Sequence, residues 1–167
     1  MISAMPIPSA QNLPLVLVVD DDVTIRETLR QYIAGSGYQT ALLCELCRGV
    51  CAVERLPALA EAATRRLRQA GYSNVEVGTF DGTHGWRERA PFDRIVVAAA
   101  APSIPVLLVD QLAEGGKLVV PVGSREQQRL AVVTRRGDRF DTRWETPCTF
   151  VPLLGRYGWE GQGPAKA

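Results

Sequence analysis

The chain is poor in the residues that many kinds of site are built from. His84 is its only histidine. A Ser/His/Asp relay or a histidine-based metal site therefore has little to draw on. Charge of one sign is lacking too: 19 basic and 18 acidic residues leave a formal net charge of +1, so there is no electrostatic case for nucleic acid or an anionic membrane. No apolar run approaches the ~20 residues that span a bilayer. Residues 1–11 contain no basic segment followed by a hydrophobic one, so no secretory signal is visible and a cytoplasmic location is expected. No internal repeat or low-complexity segment is present. What remains, 46% hydrophobic and 22% charged residues in a chain of 167, is enough for one globular domain with a substantial core.

Cysteine is scarce but clustered, at Cys44, Cys47, Cys51 and Cys148. The first three invite a metal or cluster reading. Their spacing is not that of the common iron–sulfur motifs, and a fourth zinc ligand is missing nearby. Cys44 and Cys47 also sit within an apolar helical pattern, where a free cysteine acts as a small buried hydrophobe. No metal is expected on them.

The order of elements follows from periodicity. Residues 1–12 read as a disordered leader. Leu13 to Val19 is a continuous valine-rich run, the signature of a strand buried on both faces of a parallel sheet. After Asp20-Asp21-Asp22, the helical spacing of Ile25, Leu29, Tyr32 and Ile33 predicts a helix, capped by Asp22 and stopped at Gly35. Thr40 to Arg48 favours helix, Val50 to Val53 strand. Pro57 to Ala70 is an amphipathic helix, with Leu56, Leu59, Ala60, Ala63 and Leu67 on one face and Pro57 in the first turn. Strands are expected at Val75–Phe80, Phe92–Ala100 and Lys117–Val122, with a helix at Ile104–Ala113 closed by Gly115-Gly116. Leu130–Thr134 and Phe140–Trp144 flank Arg135-Arg136-Gly137-Asp138 as a hairpin. Phe150–Leu154 reads as a last strand, and the chain then fades into a tail. Alternating strands and helices imply an α/β fold with a mostly parallel sheet and right-handed crossovers, ending in an antiparallel hairpin.

The candidate site falls where such sheets bind ligands, at the carboxyl ends of the strands. Gly35-Ser36-Gly37 is a glycine turn opening into a helix, able to bring backbone N–H groups close to a ligand. Glu54 ends the following strand, where a carboxylate can accept both hydroxyls of a ribose. Asp81-Gly82 ends the next. Each has an ordinary alternative. Gly-x-Gly is a common helix cap, Glu54 could pair with Arg55 or Arg65, and Asp-Gly is a common turn pair.

From Gly35 to about Trp159 the chain resembles protein-L-isoaspartate O-methyltransferases. The matching pieces are Gly35-Ser36-Gly37-Tyr38-Gln39-Thr40-Ala41, Val53-Glu54-Arg55-Leu56-Pro57, Asp81-Gly82-Thr83, Gly85-Trp86, Ala90-Pro91-Phe92-Asp93-Arg94-Ile95, Ala99-Ala100-Ala101-Pro102, Gly115-Gly116-Lys117-Leu118-Val119-Val120-Pro121-Val122-Gly123 and Phe150-Val151-Pro152-Leu153, in that order. The resemblance implies a Rossmann-like three-layer sandwich over residues 13–159 and a flexible tail over 160–167. It implies S-adenosylmethionine as methyl donor, with Gly35 to Gly37 facing its methionine part, Glu54 its ribose, and Asp81-Gly82 its adenine. Isoaspartyl-containing proteins or peptides would be the substrate, met by a cleft along Ala100, Pro102, Val151 and Pro152, whose alternative is core packing. A monomer is expected, and His84 is given no role.

A second likeness covers the start. Val16-Leu17-Val18-Val19-Asp20-Asp21-Asp22, with Ile25-Arg26 and Leu29, is similar to the first strand and helix of a response-regulator receiver domain. It implies a Mg²⁺ pair at Asp20 and Asp21, and with it a signalling alternative in which Asp81 takes a phosphoryl group. The remainder of the receiver pattern is missing, and the acidic cluster reads better as a solvated strand end that caps a helix. Residues 13–34 would then be a receiver-like strand–helix standing in for the methyltransferase N-terminal region with its Gln-Thr-Ile-Ser-type motif. Ile33 stands where that family's donor loop has a glycine, and a β-branched residue does not easily adopt φ > 0. A methyltransferase-like chimera with impaired or lost activity is therefore expected.

Overall fold

The computed structural model describes residues 14–20 and 37–160. The expected leader, the helix expected between Asp22 and Gly35, and residues 161–167 lie outside the described residues. Among the described residues, seven strands form one sheet: β1 (Leu15–Asp20), β2 (Gly49–Glu54), β3 (Val75–Thr79), β4 (Phe92–Val97), β5 (Leu112–Gly123), β6 (Gln128–Arg136) and β7 (Arg139–Cys148). Three α-helices accompany them among the described residues: α1 (Gly37–Leu46), α2 (Pro57–Gln69) and α3 (Val106–Val109). The strand order is β3-β2-β1-β4-β5-β6-β7. Pairings among β1 to β5 are parallel, and β6 and β7 add on antiparallel. The fold is a Rossmann-like α/β sandwich. Its strands run one way in sequence from β1 to β3 and the other from β4 to β5, so the switch point lies between β1 and β4. A receiver domain would instead order its strands 2-1-3-4-5.

Burial explains the arrangement. Val16, Leu17, Val18 and Val19 are each no more than 2% exposed, as befits a central strand covered on both faces. Because side chains alternate along a strand, Leu17, Val19, Cys51 and Val53 enter one core, while Val16, Val18, Val50 and Ala52 enter the other. Fully burying one such aliphatic side chain contributes roughly 1.5–3 kcal/mol. The helix α2 buries Ala60, Ala63 and Leu67, one stripe at helical spacing, with Pro57 in its first turn and Gly71 beyond its end at φ 88°. The helix α1 ends where Asn74 reaches over: its Nδ2 donates to the carbonyls of Cys44 (2.8 Å) and Cys47 (3.0 Å). Such carbonyls have no partner within the helix itself. Cys44, Cys47 and Cys51 are buried free thiols, and burial pushes the Cys44 and Cys51 thiols up to about 11.

Three expectations are corrected. The helix expected over Ile104–Ala113 is a single turn, Val106–Val109. Leu112 already pairs with Phe92 in the sheet and is fully buried. Gly115 and Gly116 do not end a helix. They form an irregularity within β5, with Gly115 at φ 70° and Gly116 too close to the Ala113 and Phe92 carbonyls to carry a side chain. Phe150–Leu154 is not a strand but makes isolated bridges, Ala100 to Pro152 and Leu154 to Trp159. Pro152 has no N–H to extend a ladder. Residues 155–159 are no tail: Trp159 N donates to Leu153 O at 2.7 Å and closes them into a loop. The hairpin is as expected, with Gly137-Asp138 as its turn.

Candidate functional site

Glu54 stands at the carboxyl end of β2, level with Asp20 of β1 and Thr79 of β3. It is 5% exposed, and its Oε1 accepts a hydrogen bond from Leu56 N at 2.8 Å. Thr40, from the first turns of α1, is buried beside it. Both line a cleft with Val18, Ala52, Ala63 and Leu67 between the sheet and the two long helices. The structure thus brings Glu54 to the start of α1, whose first residue is Gly37. Gly35, Ser36 and Asp21 lie outside the described residues. Of the two ion-pair partners considered for Glu54, Arg65 faces Glu61 at 3.9 Å.

Asp81 caps a one-turn helix, Gly82–His84, after β3. Its Oδ1 accepts from Thr83 N (2.9 Å) and Thr83 Oγ1 (2.6 Å), and its Oδ2 from Arg156 N (2.8 Å). Burial tends to raise this carboxyl. The hydrogen bonds from Arg156 and Thr83, with nearby His84, outweigh it and hold the group below the usual carboxylate range. Gly82 crosses the end of β1 so closely that a side chain there would strike Val19, 2.5 Å from its Cγ1. His84 sits 3.6 Å from Asp81 Oδ2 and lies edge-on to Tyr157.

Three of the four expected cleft residues, Ala100, Val151 and Pro152, are drawn together beyond the end of β4. Ala100 N donates to Val151 O (2.7 Å), and Ala100 O accepts from Leu153 N (2.8 Å) and Trp159 Nε1 (3.0 Å). Ala99, Ala100 and Ala101 are at most 1% exposed, so these side chains pack into the core, and their small size lets the segment around Pro152 cross at backbone distance. Pro102, just beyond, is exposed.

Two buried glutamines escaped the sequence reading. Gln111 accepts from Trp86 N (2.7 Å) and donates to His84 O (2.7 Å) and Leu107 O (2.9 Å), pinning the loop that follows Asp81. Gln128 donates to Ser124 O (2.6 Å) and Arg125 O (3.1 Å) and accepts from Phe150 N (2.8 Å), pinning the strand-end segment opposite. Gln111 follows Asp110 in an otherwise apolar stretch, and Gln128 sits within the polar run Ser124–Arg129, so no pattern marks either as buried.

Residues 30–158 match the family of protein-L-isoaspartate(D-aspartate) O-methyltransferases. The Methanoculleus marisnigri protein-L-isoaspartate O-methyltransferase is 44% identical over 163 residues, which cover 95% of this chain and 74% of that protein. The chain belongs to the protein-L-isoaspartate O-methyltransferase family. The Syntrophus aciditrophicus member is 48% identical over 143 residues, covering 84% of this chain and 66% of that protein. The chain thus spans about two thirds to three quarters of the length of these family relatives. Among solved structures, a protein-L-isoaspartate O-methyltransferase superposes with a TM-score of 0.72 at 24% identity, over 87% of this chain and 43% of its own. A Plasmodium falciparum family member in complex with S-adenosyl-L-homocysteine gives 0.64 at 23% identity, over 83% and 65%. These two share the fold.

Proposed function

We propose that this chain is an S-adenosylmethionine-dependent protein-L-isoaspartate carboxyl O-methyltransferase with a remodelled donor loop and low turnover. The observation that carries the reading is Glu54: a buried carboxylate at the carboxyl edge of a parallel sheet, beside the switch point and the start of α1, in a chain of this family. A carboxylate is acceptor-only with about four lone-pair sites, which suits a vicinal diol. Glu54 would hold the ribose hydroxyls, Gly35, Ser36 and Gly37 the amino-acid end, and the Asp81-Gly82 turn would border the base.

S-adenosylmethionine supplies, when bound, a methyl group on a sulfonium. The isoaspartyl carboxylate is already anionic, so the protein has no proton to remove. Its work is to align the acceptor oxygen and keep water out. Ala100, Pro102, Val151 and Pro152 would flank that acceptor. Low turnover follows from the β1–α1 connection. Ile33 within it replaces a glycine of the family pattern.

Calorimetric titration with S-adenosylhomocysteine tests the site. Micromolar binding that is lost in Glu54→Ala supports it, and no heat from a folded chain sinks it. Methylation of an isoaspartyl peptide at the usual family rate would remove the low-turnover part.

A further inference from the structure

The strand β7 is the outermost of the sheet, and among the described residues no strand pairs with its outer edge. At ten residues it is longer than a typical edge strand. Gly137 has φ 60° and Asp138 a negative φ, as in a two-residue turn whose flanking residues, Arg136 and Arg139, form a hydrogen-bonded pair. Hydrogen-bonded and non-hydrogen-bonded pairs alternate along an antiparallel ladder. Phe140, Thr142 and Trp144 therefore turn their N–H and C=O groups outward, away from β6. Their side chains share the face of Ala131 and Val133, which are buried in the core. That face runs on to the rim of the sheet, where Phe140 is 39% and Trp144 43% exposed. The other face of β7 carries charges of alternating sign, Arg139, Asp141, Arg143 and Glu145. The strand's only proline, Pro147, lies outside this stretch and does not block it.

We propose that β7 pairs with β7 of a second copy of this chain, antiparallel about a two-fold axis through Thr142, in place of the expected monomer. The stretch is self-complementary in this register. Phe140 meets Trp144 of the second copy, Arg139 meets Glu145, and Asp141 meets Arg143. An axis through Asp141 would instead set that residue against its own copy and Arg139 against Arg143. An axis through Arg143 would set that residue against its own copy and Asp141 against Glu145. Opposite charges facing across strands support a sheet and like charges oppose it, so the pattern favours this register over its two neighbours. Within the chain Asp141 pairs with Arg136 at 2.6 Å, and Arg143 with Glu145. The Asp141 and Arg143 side chains are largely exposed, so exchanging these pairs for ones across the axis costs little. The axis also reverses strand direction. The carboxyl ends of β1 to β5, with Glu54, then lie at opposite edges of the joint sheet, which keeps the two candidate sites apart. None of this depends on the methyltransferase reading.

Sedimentation velocity of the full chain from about 1 to 200 µM tests the pairing. Expected is a reversible species of twice the 18.2 kDa of one chain, with a Kd of about 10 µM. Thr142→Pro removes the outward N–H at the axis, at an edge position where proline is tolerated, and should raise the Kd at least about tenfold. Asp141→Arg sets arginine against Arg143 and should raise it about tenfold; adding Arg143→Asp to that variant should return the Kd to within about threefold of the parent. Circular dichroism and thermal melting show whether each variant is folded. Should Thr142→Pro fail to fold, Asp141→Arg and its charge-swapped double variant decide. A parent that stays monomeric at about 200 µM overturns the proposal, as does a dimer whose Kd the variants leave unmoved. A loss in Asp141→Arg that the double variant does not recover overturns the register.

Discussion

Replacing Gln111 by leucine keeps its volume and removes its polarity. Gln111 is 4% exposed, and its amide serves Trp86 N, His84 O and Leu107 O. Gly85, at φ 67°, lies directly against that amide, so the loop cannot close over a different shape without moving. A buried group left without its partner costs about 1–3 kcal/mol. Trp86 is half-buried and should bear most of that cost, whereas exposed His84 can turn to water. The sum is about 3 kcal/mol, which at this chain length lowers Tm by roughly 6–12 °C. Differential scanning calorimetry of Gln111→Leu beside the parent chain measures it. A Tm within about 2 °C of the parent would refute the view that this amide, rather than apolar packing, fixes the loop after Asp81. Gln111→Glu sharpens the test. The carboxylate would face two carbonyls, so its folded pKa rises. The variant should be nearer to parental stability at low pH and lose ground as pH rises.

Other consequences concern titration. The Asp81 carboxyl is held below its ordinary value of 3.8, so its contribution is present above that pH and is lost only as pH falls through the lower folded value. The stability gap between parent and Asp81→Asn should stay constant from about pH 7 to pH 4.5 and close below pH 3.8; a gap that closes by pH 5 contradicts it. Burial raises Cys44 and Cys51 from 9.0 to about 11, which favours the fold below pH 9 and is lost between pH 9 and 11. Thermal scans across that range should show an alkaline fall in Tm that lessens in Cys44→Ala/Cys51→Val. Iodoacetamide on the native chain should reach Cys148 before the three buried thiols, and mass spectrometry of the labelled peptides would show the opposite order if the packing is wrong.

The sheet was legible because its signals are local. Val16 to Val19 reads as a doubly buried strand from composition alone, and the α2 stripe reads from spacing. The position of Glu54 at a strand end was legible because Val50 to Val53 reads as a short apolar strand that the acidic residue closes. The one-turn α3 was not. Val106 to Val109 is apolar enough for a longer helix, and what ends it is tertiary: burial of Leu112 against the sheet and capture of the loop by Gln111. The Asp81–Arg156 bond was invisible for a different reason. Its donor is a backbone N–H, which every non-proline residue has. Asp81-Gly82 therefore signalled a turn and nothing of its distant partner. The sheet irregularity at Gly115-Gly116 was misread because glycine pairs stop helices and permit bulges alike.

The long β1–α1 connection has a thermodynamic side. The strand it leaves is gripped by β2 and β4, and the helix it enters is fastened at its far end by Asn74. Both anchors thus have contacts of their own within the described residues. Each doubling of a flexible loop costs only about 0.6 kcal/mol in closure entropy. A flexible insertion between Asp20 and Gly37 would then cost the fold little and would fall mainly on the donor binding proposed for Gly35–Gly37. The same junction is a natural place to graft a foreign segment, with sheet stability as the insensitive readout and donor affinity as the sensitive one.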